Sequence, residues 1–300
     1  MSIVLNNEQY LRLGVYALSF LNYCQENRNW VRITGNLSGT CGYTGPGFYI
    51  VLRLFEENGI YDDTTFRQNI ARLTNTAEDY DTQRRLLVNI VNETIGHLFD
   101  LSDALCPITG LRYGLSGLAQ KEKDTIFRTK PANFYRIATE STNLVPGANL
   151  ITFTFRGDCE TIHHATLYFI PNENVCYITD SWATSVSYPG FECRLTNSRR
   201  YNMSEVITAI NILNNTANIE LTRDIMAFFF HSHSSLYVTM LTLSKTLEVH
   251  TTRPEYIKDL YEKVREAVLR GDPTLFGGKH RLLKTRNKTK INRKTGKRKL

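Results

Sequence analysis

The chain has 300 residues, 42% hydrophobic and 22% charged, which is the composition of a globular protein with a sizeable core, and no apolar run is long enough to span a membrane. Six scattered cysteines and an N-terminus without the basic region of a signal peptide exclude a disulfide-stapled secreted protein and predict an intracellular one. Residues 277–300 hold eleven Lys and Arg and no acidic residue. The rest of the chain has 25 basic and 29 acidic residues, a net charge of −4. The formal net charge of +7 therefore comes from a strongly basic tail on a mildly acidic body.

Helical patterns fill the first half of the chain. Residues 6–28 carry apolar side chains at helical spacing and predict an amphipathic helix. Residues 34–47, rich in Gly, Ser and Thr, predict a loop, and the apolar run 48–55 predicts a second helix behind it. Residues 64–105 predict further helix, with a buried stripe of Leu86, Leu87, Ile90, Val91, Ile95, Leu98 and Phe99.

The period changes to alternation near residue 150. Strands are predicted over 150–156, 162–170 and 175–179, with a turn at 171–174 that opens on a proline. Helices are then expected over 204–213, 222–249 and 254–270. Helical segments flanking a central antiparallel sheet predict an α+β fold.

We predict one domain over residues 1–276, with a mainly helical part (1–145), a β part (146–200) and a helical extension (201–276). Residues 277–300 are expected to be a disordered basic tail, because they lack apolar periodicity. Two interpretations of the tail stay open. It is a solubilising or nuclear-import segment, or it binds nucleic acid or another polyanion non-specifically through its charge.

Cys41 is the first candidate for chemistry. It stands in a Gly-rich loop just ahead of the predicted helix, and thiolates are stabilised near helix N-termini by the helix dipole and by unpaired backbone N–H groups. Those N–H groups also suit an oxyanion. Two alternatives to a nucleophilic role remain. Cys41 is an inert buried cysteine, or its loop binds phosphate, although the Gly-Lys-Ser/Thr ending of phosphate-binding loops is missing.

His164 and Asp180 are the partners that a thiol nucleophile requires. The predicted hairpin places His164 opposite Ser181, or opposite Asp180 if the turn changes by one residue. Asp180 would then accept a hydrogen bond from one imidazole nitrogen and leave the other to take the thiol proton. The alternatives are His163 as the base, or a strand histidine satisfied by any polar neighbour.

A metal site is the remaining candidate in this region. Five zinc-compatible residues lie within thirty-five positions, namely Cys159, His163, His164, Cys176 and Cys193. Structural zinc sites use close pairs such as Cys-x-x-Cys or His-x-x-x-His, and only Cys159 and His163 approach such spacing. We therefore predict no metal and no cofactor.

The sequence around these residues resembles the papain-like cysteine peptidase superfamily. His164-Ala165 and Asp180-Ser181-Trp182, sixteen residues apart and separated by a hairpin, are similar to its His-Ala and Asn-Ser-Trp elements. The resemblance implies a papain-like fold, in which a helical part carries the Cys loop and helix and an antiparallel sheet carries His and Asp. It also implies a Cys41-His164-Asp180 triad.

The resemblance departs from papain at the nucleophile. Laid on papain's Cys-Gly-Ser-Cys-Trp stretch, Cys41-Gly42 falls on the first Cys-Gly, and Thr44 falls at the nucleophile, so Thr44 is an alternative. Other branches, including bacteriocin-processing peptidases, place the nucleophile directly before a glycine, as in Cys41-Gly42. The oxyanion and substrate residues implied are Asn36, Gly42 and Trp182.

Three classes of function follow. The first is a thiol hydrolase that cleaves peptide or isopeptide bonds in a peptide or protein substrate, ubiquitin-like proteins included. The second is a catalytically inactive papain-like binding protein. The third is a basic-tailed structural or nucleic-acid-associated protein. The tail is similar in composition to the C-termini of many proteins of large DNA viruses, which implies a site of action in the host cytoplasm or nucleus or in the virion.

Overall fold

A computed structural model describes residues 4–27, 40–105, 144–155, 161–179, 198–230, 247–252 and 254–271. Seven helices lie in these ranges: α1 (Asn7–Glu26), α2 (Thr40–Glu57), α3 (Asp63–Thr74), α4 (Tyr80–Leu105), α5 (Met203–Asn215), α6 (Ile219–Phe230) and α7 (Pro254–Arg270). The strands there are β1 (Gly147–Phe155), β2 (Thr161–Ile170), β3 (Val175–Thr179), β4 (Ser198–Asn202) and β5 (Leu247–Thr251). The predicted α+β class is confirmed.

The helix predicted over 6–28 is confirmed as α1. It begins with a capping box, in which the Asn6 side chain accepts from the Gln9 backbone N–H and the Gln9 side chain accepts from the Asn6 N–H. Its buried face includes Tyr10, Leu13, Ala17 and Leu21, spaced at three or four residues.

The loop predicted over 34–47 is wrong for its second half, because α2 already begins at Thr40. Glycine and an interior proline lower helix propensity, which is why this segment suggested a loop. Packing decides otherwise. A Cβ at Gly47 would lie 2.7 Å from Leu21 Cδ1 and 2.9 Å from Ile95 Cδ1, so the glycine lets α2 approach α1 and α4 closely.

The single helical segment predicted over 64–105 is two helices. Asn75 adopts a left-handed conformation (φ 52°) and ends α3, and α4 begins five residues later at Tyr80. Of the predicted stripe, Leu87, Ile90, Val91 and Ile95 are buried.

The five strands form one antiparallel sheet in the order β4-β3-β2-β1-β5. The predicted hairpin is confirmed, since Ile170 pairs with Val175 across a short 3₁₀ turn that begins at Pro171. Asn174 closes the turn in the left-handed conformation that asparagine tolerates.

The helix predicted over 222–249 is wrong at its end. Residues 247–251 form β5, which pairs antiparallel with β1 as an edge strand of the sheet. The segment alternates buried and half-buried residues along the strand, the pattern of a half-buried strand. β4 was not predicted. The helix predicted over 254–270 is confirmed as α7.

The sheet separates two apolar cores. The face formed by Ala148, Leu150, Tyr168, Ile170, Val175 and Tyr177 packs on α1, α2 and the helices around them. The opposite face packs on α5 and α6 through Ile151, Phe153, Ala165, Leu167, Phe169, Cys176, Ile178 and Val249. Helices therefore cover both faces. Residues 272–300 lie outside the described residues, so the tail stays a prediction.

Within the described ranges, no helix combines the length and apolarity needed to cross a membrane.

Candidate functional site

The N-terminal half of α2 lies directly on β2 at His164. A Cβ added at Gly45 would be 2.8 Å from the Cβ of His164 and 3.0 Å from its carbonyl carbon. Real Cβ atoms do not approach this closely, so only glycine allows the helix backbone to lie on the strand here. The contact fixes α2 at the one position of β2 that carries the candidate base.

Two hydrogen bonds hold α2 and β2 in this register. The Thr166 hydroxyl donates to the Gly45 carbonyl oxygen at 2.8 Å in a buried position. About three helical turns further along α2, the Tyr168 hydroxyl donates to Glu56 Oε1 at 2.5 Å. Burial raises the pKa of the Glu56 carboxyl, and the bond from Tyr168 partly offsets this. The helix is therefore fastened to one strand by polar contacts near both of its ends.

Cys41 is the second residue of α2, so it lies inside the first helical turn rather than ahead of the helix as predicted. It precedes Gly45 by four residues, and positions four apart share a face of a helix. The helical rise places the two about 6 Å apart along the axis. The backbone of Cys41 thus lies about one helical turn before the glycine that contacts His164, at the positive end of the helix dipole.

His164 is half-buried on β2, and its Nδ1 lies 3.1 Å from the Oγ1 of Thr152, the residue paired with it on β1. Thr152 is buried, at 2% exposure. Two tautomers satisfy this contact. If Nδ1–H donates to the hydroxyl, Nε2 carries no proton and is an acceptor. If the hydroxyl donates to Nδ1, the ring proton is on Nε2.

Thr152 was not predicted as part of the site. The only signal in the sequence is its position in the alternating segment before His164, and that signal needs the register between β1 and β2 to be interpreted. A threonine in a strand is otherwise ordinary.

His250 continues the same row of residues. It pairs with Thr152 from β5, so His164, Thr152 and His250 stand side by side across three strands. Burial lowers the pKa of His250, and Glu248, whose Oε2 is 3.5 Å from its Nε2, partly opposes this. Burial thus favours a neutral imidazole at this position.

The other predicted residues fall into two groups. Asn36, Asp180 and Trp182 lie outside the described residues, and Asp180 directly follows Thr179, the last described residue of β3. Thr179 pairs with Thr166, which is the first of the two predicted registers. The triad therefore stays a prediction.

The alternative residues lie within the described elements. Gly42 and Thr44 belong to the first turns of α2, and Thr44 is half-buried. His163 pairs with Phe153, a residue of the opposite core, so strand alternation separates its position from that of His164.

Two other cysteines are described, and both are buried free thiols. Burial raises the pKa of the Cys24 and Cys176 thiols, which keeps them protonated and unreactive. Among the described residues, no group of three or more His, Cys, Asp and Glu side chains is arranged to hold a metal ion.

The chain matches no protein-family model, and no curated protein or solved structure shows significant similarity to it.

Proposed function

We propose that the protein is a thiol hydrolase of the papain-like type, with Cys41 as the nucleophile and His164 as the base. One observation carries the proposal: Gly45, four residues after Cys41 on α2, packs directly on the backbone of His164. A nucleophile at a helix N-terminus beside an oriented imidazole is the arrangement that thiol chemistry needs.

The reaction follows from these positions. The imidazole of His164 takes the Cys41 proton, and the thiolate attacks the carbonyl carbon of a peptide or isopeptide bond. Backbone N–H groups in the first turn of α2 stabilise the oxyanion. The imidazolium then protonates the leaving amine, and water, deprotonated by the same imidazole, hydrolyses the thioester and releases the thiol.

Thr152 supports this scheme as a positioning residue. If Nδ1–H of His164 donates to the Thr152 hydroxyl, the base is Nε2, and the buried hydroxyl fixes that tautomer. In the proposal, Asp180 stabilises the imidazolium, and Asn36, Gly42 and Trp182 contact the substrate. The substrate is a peptide or protein, with ubiquitin-like proteins as one class, inside a cell or virion.

The same contact favours one competing function. If the Thr152 hydroxyl instead donates to Nδ1, it ties up that ring nitrogen as an acceptor, and the ring is held as a structural group. The protein would then be an inactive papain-like relative that binds a partner. No described contact bears on the third class, a basic-tailed structural or nucleic-acid-associated protein.

Covalent labelling tests the proposal. An electrophilic peptide or ubiquitin probe should label Cys41, and Cys41→Ala should abolish the labelling. Replacing each of the other cysteines by Ser should leave it intact. These are Cys24, Cys106, Cys159, Cys176 and Cys193. His164→Ala should slow turnover by about 10²–10⁴-fold, the usual contribution of a positioned base. Labelling that survives Cys41→Ala would contradict the proposal and favour the binding protein.

A further inference from the structure

A polar cavity of about 430 Å³ lies between α2, α3 and α7, at the opposite end of α2 from Cys41. Its lining includes Tyr49 and Arg53 from α2, Arg72 from α3, and Lys258 and Arg265 from α7. Small-molecule sites in proteins usually measure about 300–1,000 Å³, so the cavity is large enough for a metabolite-sized ligand. Tyr49 follows Cys41 by eight residues, about 12 Å along the helix.

Two buried hydrogen-bond donors in this lining have no partner among the described residues. They are the Tyr49 hydroxyl and the Arg265 Nε–H. Tyr49 is completely buried, and burial raises the pKa of its phenol, so the group is a protonated donor. Leaving a buried donor unpaired is costly, and a bound ion that accepts the hydrogen bond is one explanation of such a group.

The charge of the lining selects the ligand. Four basic residues face two acidic ones, and the acidic ones are already occupied, because Glu57 pairs with Arg53 at 2.9 Å and Glu262 pairs with Arg265. Within the described part of the chain, Arg72 and Lys258 form no ion pair. The cavity therefore combines two unpaired donors with two uncompensated positive charges.

We propose that this cavity binds a small organic anion through its phosphate or carboxylate group. The oxyanion accepts hydrogen bonds from the Tyr49 hydroxyl and Arg265 Nε–H, and Arg72 and Lys258 neutralise its charge. This ligand site is separate from the Cys41 and His164 site and does not depend on the proposed hydrolase activity.

Calorimetric titration of the full-length protein tests the proposal with three ligands of the same carbon skeleton, at constant ionic strength. Glycerol 3-phosphate and glycerate carry the two candidate anionic groups, and glycerol carries neither. Saturable binding of at least one anion, with none of glycerol, is expected, and the stronger anion identifies the recognised group. Absence of saturable binding by both anions at millimolar concentration would overturn the proposal.

Three variants locate the binding. Tyr49→Phe and Arg72→Gln should each weaken anion binding by about tenfold or more, the effect of losing a hydrogen bond to, or an ion pair with, a charged partner. Arg85→Gln is the matched control, because Arg85 is an exposed arginine on α4 outside the cavity. Equal binding by all three variants would place the anion elsewhere, the basic tail included, and would refute the site.

Tyr49→Phe gives a second, ligand-independent result. Without anion, the variant should melt at the same temperature as the wild type or higher, because its lost hydroxyl has no partner to lose. With anion, the wild type should gain thermal stability, and the variant should gain less. A lower melting temperature of the unliganded variant would show that the hydroxyl is already paired, and would contradict the proposal.

Discussion

The two faces of the sheet use the same strands for different purposes. The α5 face, toward α5 and α6, is mainly apolar, with Ile151, Phe153, Ala165, Leu167, Phe169, Ile178 and Val249. The α2 face, toward α2, is apolar at one end and polar at the other, where Thr152, His164, Thr166, Thr179 and His250 cluster. Buried polar groups cost stability unless they are bonded, and this cluster lies where the first turns of α2 arrive. The comparison shows that one face serves mainly for apolar packing, whereas the other places a cluster of polar residues against α2.

The largest effect that tests this difference between the faces is expected from truncating a buried side chain on the α5 face. Leu167 is completely buried there, so Leu167→Ala should destabilise the protein by about 2–5 kcal/mol, the range for a leucine lost from a core. Urea denaturation measures this. In the fraction that stays folded, the rate of Cys41 labelling should not change. A variant that kept full stability but lost labelling would contradict the division between the faces.

Gly45→Ala tests the contact between α2 and the sheet. The new Cβ would meet His164 Cβ at 2.8 Å, and such overpacking costs about 1–3 kcal/mol. Labelling of Cys41 should fall as well, because the helix must move away from the base. The control is Thr44→Ala at the neighbouring half-buried position, which should leave labelling intact. Probe labelling that persists in Cys41→Ala but is lost in Thr44→Ala would instead favour Thr44 as the nucleophile.

Thr152→Val has a smaller effect on stability and a specific one on reactivity. Valine keeps the shape of the side chain but removes the hydroxyl that contacts His164 Nδ1, which should cost about 0.5–1.5 kcal/mol. The labelling rate of Cys41 should fall by about tenfold, and Thr152→Ser should restore it. If valine and serine behave alike, the hydroxyl does not position the imidazole.

The smallest effect concerns His250 and pH. Because burial lowers the pKa of folded His250 below that of the unfolded chain, the unfolded state takes up a proton first as the pH falls below about 6.5. His250 therefore reduces stability on acidification and has no effect above neutral pH. Between about pH 7.5 and about pH 5.5, which bracket the ordinary histidine pKa of about 6.5, the melting temperature of His250→Gln should fall less than that of the wild type. An equal or larger loss in the variant would contradict the burial effect.

Local signals in the sequence predicted some elements and could not predict others. Runs of strand-forming residues on either side of the Pro171 turn predict the β2–β3 hairpin, and helical spacing predicts α1. β5 and the first turns of α2 depend on distant partners: β5 on the free edge of β1, and Gly45 and Gly47 on neighbours that fit only glycine. Local propensity misjudges both because tertiary packing overrides it.

The candidate site shows the same limit. Residue type and spacing predict Cys41 and His164 as partners, and the contact of their two elements supports this pairing. Thr152 could not be found, since its role depends on a cross-strand neighbour twelve residues away. His250 pairs with it from β5, in a segment predicted to be helix.

The most direct test of the Cys41–His164 pair is the pH dependence of Cys41 alkylation by iodoacetamide, followed by mass spectrometry of the Cys41 peptide. Paired with His164 at the N-terminus of α2, the thiol should have a pKa well below the value of about 8.5 for a free cysteine. Its alkylation should therefore stay fast below about pH 7, well under the pKa of a free cysteine. His164→Ala should return the pH profile of alkylation to that of an ordinary thiol. A wild-type profile with a midpoint of about 8.5, unchanged by His164→Ala, would contradict the pairing and the hydrolase with it.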